Sequence, residues 1–159
     1  MIVKDIITVT NDYKKTGLLV AFPTCTFKCC EQYDFPIKVC QNSKLASQED
    51  IQLSAAKIVE KYNPEIHHAL IMGGLEPFDS AIDLMRLLAE FRKLYEDDVV
   101  IFTGYTESEI SVFTEYLSHS YKNIIIKFGR YNPNEKGVSF DEVLGVNLST
   151  TNQYGKKIC

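Results

Sequence analysis

The chain has 159 residues, 45% of them hydrophobic and 24% charged: enough apolar material for one core, too little polarity for a disordered chain, and short for two domains. A formal net charge of -4 gives no general attraction for nucleic-acid backbones or anionic lipid, which sets both aside as partners. No run approaches the length of a membrane span, and Met1-Ile2-Val3-Lys4-Asp5 lacks the features of a signal peptide, so the expectation is one cytoplasmic domain over residues 1–159.

Residues 2–9 read as a short strand before the polar break Asn11-Asp12-Tyr13-Lys14-Lys15. Gly17 to Phe22 is uninterruptedly apolar, as a strand buried on both faces of a parallel sheet must be. Ser47, with Asp50 three positions on, is a weak capping box that predicts a helix carrying Ile51, Ala55, Ile58, Val59 and Tyr62, stopped by Asn63-Pro64. A second strand, Ala69 to Met72, ends in Gly73-Gly74-Leu75-Glu76-Pro77. Asp79 then reads as the N-cap of a helix with Ile82, Met85, Leu88 and Phe91 on one face, widened by Leu84, Leu87 and Leu94. The third strand, Val99 to Phe102, leads into Thr103-Gly104-Tyr105, and Thr106 with Glu109 boxes a helix bearing Ile110, Phe113 and Leu117. A fourth strand, Asn123 to Lys127, runs into Phe128-Gly129-Arg130-Tyr131, and a weakly periodic tail begins at Val138.

Strands alternating with helices in this way predict right-handed βαβ units and a mostly parallel sheet. Every loop that leaves such a strand lies on one rim, where parallel α/β folds place their ligands. A complete barrel of such units, at ~30 residues each, needs roughly 180 residues. The α/β fold expected here is therefore a shortened, laterally open partial barrel.

The first rim loop holds four of the five cysteines: Cys25, Cys29, Cys30 and Cys40. Thiols stay reduced in the cytosol, so such a cluster is read first as metal ligands or redox groups. Three thiolates suit three irons of a 4Fe-4S cluster, which Phe22, Phe27 and Val39 would shield from water. All four thiols together would equally make a tetrahedral zinc site.

At this point the sequence resembles the radical S-adenosylmethionine (SAM) superfamily, and in particular the activating proteins of anaerobic ribonucleoside-triphosphate reductase, whose signature is Cys-x3-Cys-x2-Cys. Cys25 and Cys29 match its first two ligands, and Val39-Cys40-Gln41-Asn42 looks like the third with its flanks, although ten residues rather than two separate Cys29 from Cys40. Gly73-Gly74-Leu75-Glu76-Pro77 is similar to the family's Gly-Gly-Glu-Pro segment, with Leu75 added. Thr103-Gly104-Tyr105 matches its Thr-Gly-Tyr, and Ser149-Thr150-Thr151-Asn152-Gln153 its Gly-Ser-Ser-Asn-Gln.

The resemblance implies a 4Fe-4S cluster on Cys25, Cys29 and Cys40. It also implies SAM held by Gly73, Gly74 and Glu76, with Thr103 and Gly104 alongside, and no further catalytic side chain. The implied activity is one-electron cleavage of SAM to methionine and a 5'-deoxyadenosyl radical, which takes a hydrogen from a glycine of a large partner, the anaerobic reductase or another glycyl radical enzyme. A reductant such as flavodoxin or ferredoxin would supply the electron. Set beside this reading are plainer ones: a zinc or iron-sulfur binding module, Gly73-Gly74 as an ordinary turn, and His67, His68 and His119 as surface residues. Lys127 and Arg130 near the rim suit either a ligand contact or solvent.

Overall fold

The structure is a computed structural model that describes residues 1–135 and 137–159. Its strands and helices follow in chain order. β1 (Ile2–Val3) and β2 (Asp5–Val9) lead to β3 (Gly17–Phe22), and the cysteine loop carries two short helices, α1 (Lys28–Gln32) and α2 (Ser43–Ala46). β4 (Ile51–Gln52), α3 (Ala55–Val59), β5 (Ala69–Gly74), α4 (Ala81–Phe91), β6 (Asp98–Phe102), α5 (Ser111–Ser120) and β7 (Ile124–Phe128) follow. The tail supplies β8 (Ser139–Asp141), β9 (Val146–Leu148) and β10 (Tyr154–Lys157).

Six strands form one sheet in the order β10-β7-β6-β5-β3-β2. The pairings β3–β5, β5–β6 and β6–β7 are parallel, and antiparallel β2 and β10 close the two sides. Among the described residues the two edge strands do not pair with each other, so the sheet is not a closed barrel. The parallel strands are laid down in the order in which they occur along the chain. Each right-handed crossover therefore drops its helix on the same face.

That face is a continuous apolar core. Leu18, Val20, Phe22, Leu70, Met72, Val99, Ile101, Ile124, Ile126 and Phe128 of the sheet meet Ile58, Val59, Leu84, Leu87, Leu88, Phe91 and Leu117 of the helices. The opposite face carries the alternate side chains of the same strands, Ala69, Ile71, Val100 and Ile125, covered by Tyr13, Leu144 and Leu148 rather than by a helix. This cover shields only the lower rows. The top row, with Ala21 on β3, Phe102 on β6 and Lys127 on β7, stays open and lines a cavity.

Several local expectations are corrected. No helix starts at Ser47. Asp50 instead pairs with Lys4 at 2.8 Å, Ile51 and Gln52 form a two-residue ladder with Val3 and Ile2, and the helix begins after Ser54, whose hydroxyl accepts from the Lys57 N–H at 3.2 Å. Asp79 does not cap α4. A 3-10 turn, Pro77–Ser80, capped by Glu76, precedes that helix, whose own N-cap position is Ser80. The inward face of α4 is Leu84, Leu87, Leu88 and Phe91, which leaves Ile82 and Leu94 exposed. His67, expected at the surface, is buried: its Nδ1 accepts from the Asn63 N–H at 2.9 Å, and Nε2 lies 2.9 Å from Thr8 Oγ1.

Candidate metal centre and its cavity

β3 ends at Phe22, and the chain then crosses the open ends of the parallel strands as a strap. Phe27 turns it with a left-handed backbone, φ 54°, which starts α1 and directs the Phe27 N–H to the Cys25 sulfur at 3.2 Å. A 3-10 turn, Ile37–Val39, returns the strap to Cys40. Cys25, Cys29 and Cys40 all line one cavity of about 420 Å³. Cys30, on the buried side of α1, lies behind Cys29 and off the cavity wall.

The thiols are electrically unequal. A hydrogen bond from the Cys40 thiol holds Cys29 below the usual range, and the same contact, with burial, pushes Cys40 up. Burial, with the Glu76, Asp79 and Cys40 charges adding to it, pushes Cys25 up to about 11. Of the three, Cys29 gives up its proton most easily, and a bound positive centre would favour the thiolate form of all three.

The chemistry of the donors decides which centre fits. Among the described residues no three His, Cys, Asp or Glu side chains converge on one ion position, as a tetrahedral zinc requires. Three soft sulfurs on one concave wall are the donor type that an iron-sulfur cluster takes. The expected apolar shield is corrected: Phe22 belongs to the helix-covered core and Val39 is 42% exposed. The apolar walls of the cavity are Leu19, Ala21, Leu45 and Phe102, and Phe27 is not among its lining residues.

Below the strap, β5 ends on its paired glycines. Gly74 has φ +84°, and a Cβ there would stand 2.8 Å from the backbone of Ala21, so only glycine fits. Gly73 is buried in the strand, off the cavity wall. Glu76 is 6% exposed. Its Oε1 accepts from Thr103 Oγ1 at 2.8 Å and from the Phe78 N–H at 3.2 Å, while Oε2 accepts from the Gly104 N–H at 2.8 Å. Burial outweighs these donors and raises its pKa to about 7. Glu76 therefore bolts the end of β5 to the end of β6, with lone-pair capacity on Oε2 still facing the cavity.

The strap is stitched to this segment. The Glu76 N–H donates to the Thr24 carbonyl at 2.7 Å, the Thr26 N–H to Asp79 Oδ2 at 2.7 Å, and Tyr105 Oη to Asp79 Oδ1 at 2.6 Å. Lys28 stands 4.6 Å from the Tyr105 ring centre, with the Arg130 guanidinium 5.6 Å from it. Arg130 is fixed by a two-point bond to Glu109 at 2.6 and 2.9 Å. Phe35, from the long stretch between Cys29 and Cys40, meets the edge of Tyr131 at 6.3 Å. The C-terminal segment joins in: Gln41 Nε2 donates to Ser149 Oγ at 2.9 Å, Asn152 Nδ2 to the Arg130 carbonyl at 2.9 Å, and Gln153 Nε2 to the Gly129 carbonyl at 3.3 Å.

The structure thus brings together Cys25, Cys29, Cys40, Gly74, Glu76, Thr103 and Gly104, and it adds Lys127, which the sequence left open between a ligand contact and solvent. Lys127 points into the cavity, where burial lowers its pKa to about 8 and its ammonium donates to the Gly129 carbonyl at 3.1 Å. Its signal was a single lysine inside Ile-Ile-Ile-Lys-Phe, a cation at an inward position of a buried strand. Asp5, Asp12 and Asn42 also line the cavity and carried no such signal.

A family model described as a 4Fe-4S single cluster domain matches residues 16–141. No curated protein and no solved structure gives a significant match. The matched span runs from the start of β3, through the strap and the Glu76 bolt, past the end of β7, well over half of the sequence. On that extent of agreement, the chain belongs to the 4Fe-4S single cluster domain family and is an iron-sulfur protein.

Proposed function

We propose that this protein is a radical SAM activase that generates a glycyl radical on an anaerobic ribonucleoside-triphosphate reductase. The observation that carries the reading is the single cavity shared by three thiols and the Gly74, Glu76 and Gly104 segments. Its volume, about 420 Å³, falls among those of small-molecule sites, at ~300–1,000 Å³.

In this reading Cys25, Cys29 and Cys40 hold the cluster, and the sheet is a shortened, laterally open partial barrel. The chemistry the cluster supplies when bound is a place to chelate the amino and carboxylate groups of SAM and an electron for its sulfonium. The protein's own residues bind and orient. Glu76 Oε2 and the Gly74 carbonyl present oxygens to a cationic amino group, and Lys127 presents a cation to a carboxylate. Thr103 and the Gly104 N–H hold Glu76 in place, and Gly73 gives the β5 end a residue without a side chain. Leu19, Ala21, Leu45 and Phe102 keep water from the walls. The open side of the sheet admits a loop of the large partner, and a cytoplasmic reductant such as flavodoxin or ferredoxin delivers the electron.

The test is anaerobic reconstitution with iron and sulfide, then incubation with SAM and dithionite. Methionine and 5'-deoxyadenosine should form in equal amounts, and adding the reductase should give a glycyl radical signal by electron paramagnetic resonance. A brown, cluster-loaded protein that leaves SAM intact would overturn the reading in favour of an iron-sulfur binding module. Cleavage with a signal only on a different glycyl radical enzyme would reassign the partner.

A further inference from the structure

Asn42 departs from a local rule. It stands at the N-cap of α2, where an asparagine side chain ordinarily accepts from the first free N–H groups of the helix, yet it makes no such bond. Its backbone carbonyl still accepts from the Ala46 N–H at 2.9 Å, while its side-chain Nδ2 reaches across the cavity rim and donates to the Gly74 carbonyl. The Asn42 backbone N–H also faces the Cys40 sulfur. One residue therefore touches both Cys40 and the glycine turn at the end of β5.

Gly74 is a rigid place to anchor. Its left-handed backbone and the Ala21 contact leave no room for a side chain, and Leu45 of α2 packs close beside it. The near end of the strap is already fastened to the same segment through Thr24 and Thr26. Between the two ends, Glu31, Gln32, Asp34 and Pro36 to Val39 are all exposed. A sulfur with two residues between it and its neighbour would be held by the backbone itself. A sulfur after ten residues, only part of them in α1 and the Ile37–Val39 turn, carries a larger conformational entropy and needs an outside constraint.

We propose that Asn42 is a positioning residue, docking the far end of the cysteine strap on Gly74 and so fixing where the Cys40 sulfur stands relative to Cys25 and Cys29. The proposal rests on Cys40 being the third cluster ligand. It explains how so long an interval between Cys29 and Cys40 still delivers a sulfur to the cavity wall.

The test compares Asn42→Asp and Asn42→Ala with the natural chain after anaerobic reconstitution. Aspartate keeps the volume and is at least as good an N-cap, but it has no N–H to give and sets a carboxylate against a carbonyl. If Asn42 merely capped α2, Asn42→Asp would be neutral or stabilising. The expected result is cluster assembly in all three chains, with iron lost to a ferrous chelator about tenfold faster from Asn42→Asp, a hydrogen-bond-sized effect. The spectrum of the reduced cluster should shift, apo-protein Tm should stay unchanged, and Asn42→Ala should fall between the two. An iron-release rate and spectrum like those of the natural chain in both variants would overturn the proposal alone. A full, unaltered cluster in Cys40→Ala would overturn the ligand assignment, and the proposal with it.

Discussion

The two faces of the central sheet are built from alternate residues of the same strands, yet they do opposite work. On β7, Ile124, Ile126 and Phe128 go to the helix-covered core while Ile125 and Lys127 go to the other side. The helix side is apolar and closed at every level. The other side is closed only below, where the β8–β9 hairpin and Tyr13 cover it, and open above, where acids, a lysine and the thiols line the cavity. Stability and chemistry are thereby divided between faces, and substitutions on each should report separately.

The largest expected effect is on the open side. Cys40→Ala should abolish cluster assembly, read as loss of brown colour and of bound iron. The apo-protein should unfold at nearly the same urea concentration as the natural chain, because Cys40 sits in a strap that adds little to the core. Cys30→Ala should retain the cluster, since Cys30 lies off the cavity wall. A full cluster in the first variant, or none in the second, would reverse the ligand assignment. An apo Cys40→Ala that fails to fold would erase the division between faces.

The reciprocal change is Leu87→Ala. Leu87, on the inward face of α4, is fully buried, and truncation should cost about 3–5 kcal/mol in urea unfolding. Phe102→Ala, on the half-open side, should cost about 1–2 kcal/mol despite removing more atoms, because its side chain is not fully enclosed. Equal costs would show that the cavity face is as tightly packed as the core.

Those parts of the molecule were legible in the sequence to different degrees. The four parallel strands could be read because burial on both faces forces continuous apolar runs, and periodicity marked the helices between them, although these start after Ser54, Ser80 and Ile110 rather than at the capping signals Ser47, Asp79 and Thr106. The Gly74 turn and the cysteine strap were legible because φ above zero and clustered thiols each demand particular residue types. What was not legible depends on distant partners. The β4 ladder forms because Val3 and Ile2 are there to pair with Ile51 and Gln52. Tyr-Gly-Lys-Lys becomes β10 only because the edge of β7 offers Phe128 to Ile125 as its template. His67 is buried by Thr8 and the Asn63 backbone, neither of which marks it in sequence.

Glu76 lies on the border of the two regions, and its pH dependence sharpens the contrast. Burial raises its pKa from 4.5 to about 7, so the folded state binds its proton more tightly than the unfolded chain does. Its stabilising contribution is complete below about pH 4.5 and is lost as pH rises through about 7, up to about 3 kcal/mol in all. Glu76→Gln removes that titration and, because an amide cannot accept from the Gly104 N–H at its nitrogen, adds a pH-independent cost of about 1 kcal/mol. Urea unfolding of both proteins from pH 4.5 to 8 should show the gap between them narrowing, then reversing. A constant gap would mean that Glu76 is not desolvated. SAM affinity should fall in Glu76→Gln with the cluster intact, and unchanged affinity would remove the carboxylate from the ligand site.

The smallest effect on stability, and the one that best separates the faces, belongs to Lys127. Its ammonium is depressed to about 8 by burial, and its direct partner is a single carbonyl, so the fold carries a desolvated charge near neutral pH. Lys127→Met keeps the stem that packs beside Phe102 on the paired strand and discards the charge. Linkage puts the cost of the buried charge at about 3 kcal/mol, and losing the charged hydrogen bond to the Gly129 carbonyl offsets about 2 kcal/mol of that, so the apo-protein should gain about 1 kcal/mol near pH 7, read as a small rise in urea midpoint. Because a folded-state pKa below the ordinary lysine value favours the neutral amine in the fold, the gain should shrink as pH rises through about 8 toward 10.5. SAM affinity should fall in the same variant. A residue whose removal strengthens the fold and weakens the ligand is retained for the cavity. If Lys127→Met instead weakened the fold and left affinity unchanged, the lysine would belong to the scaffold, and the open face would lose its most distinctive group.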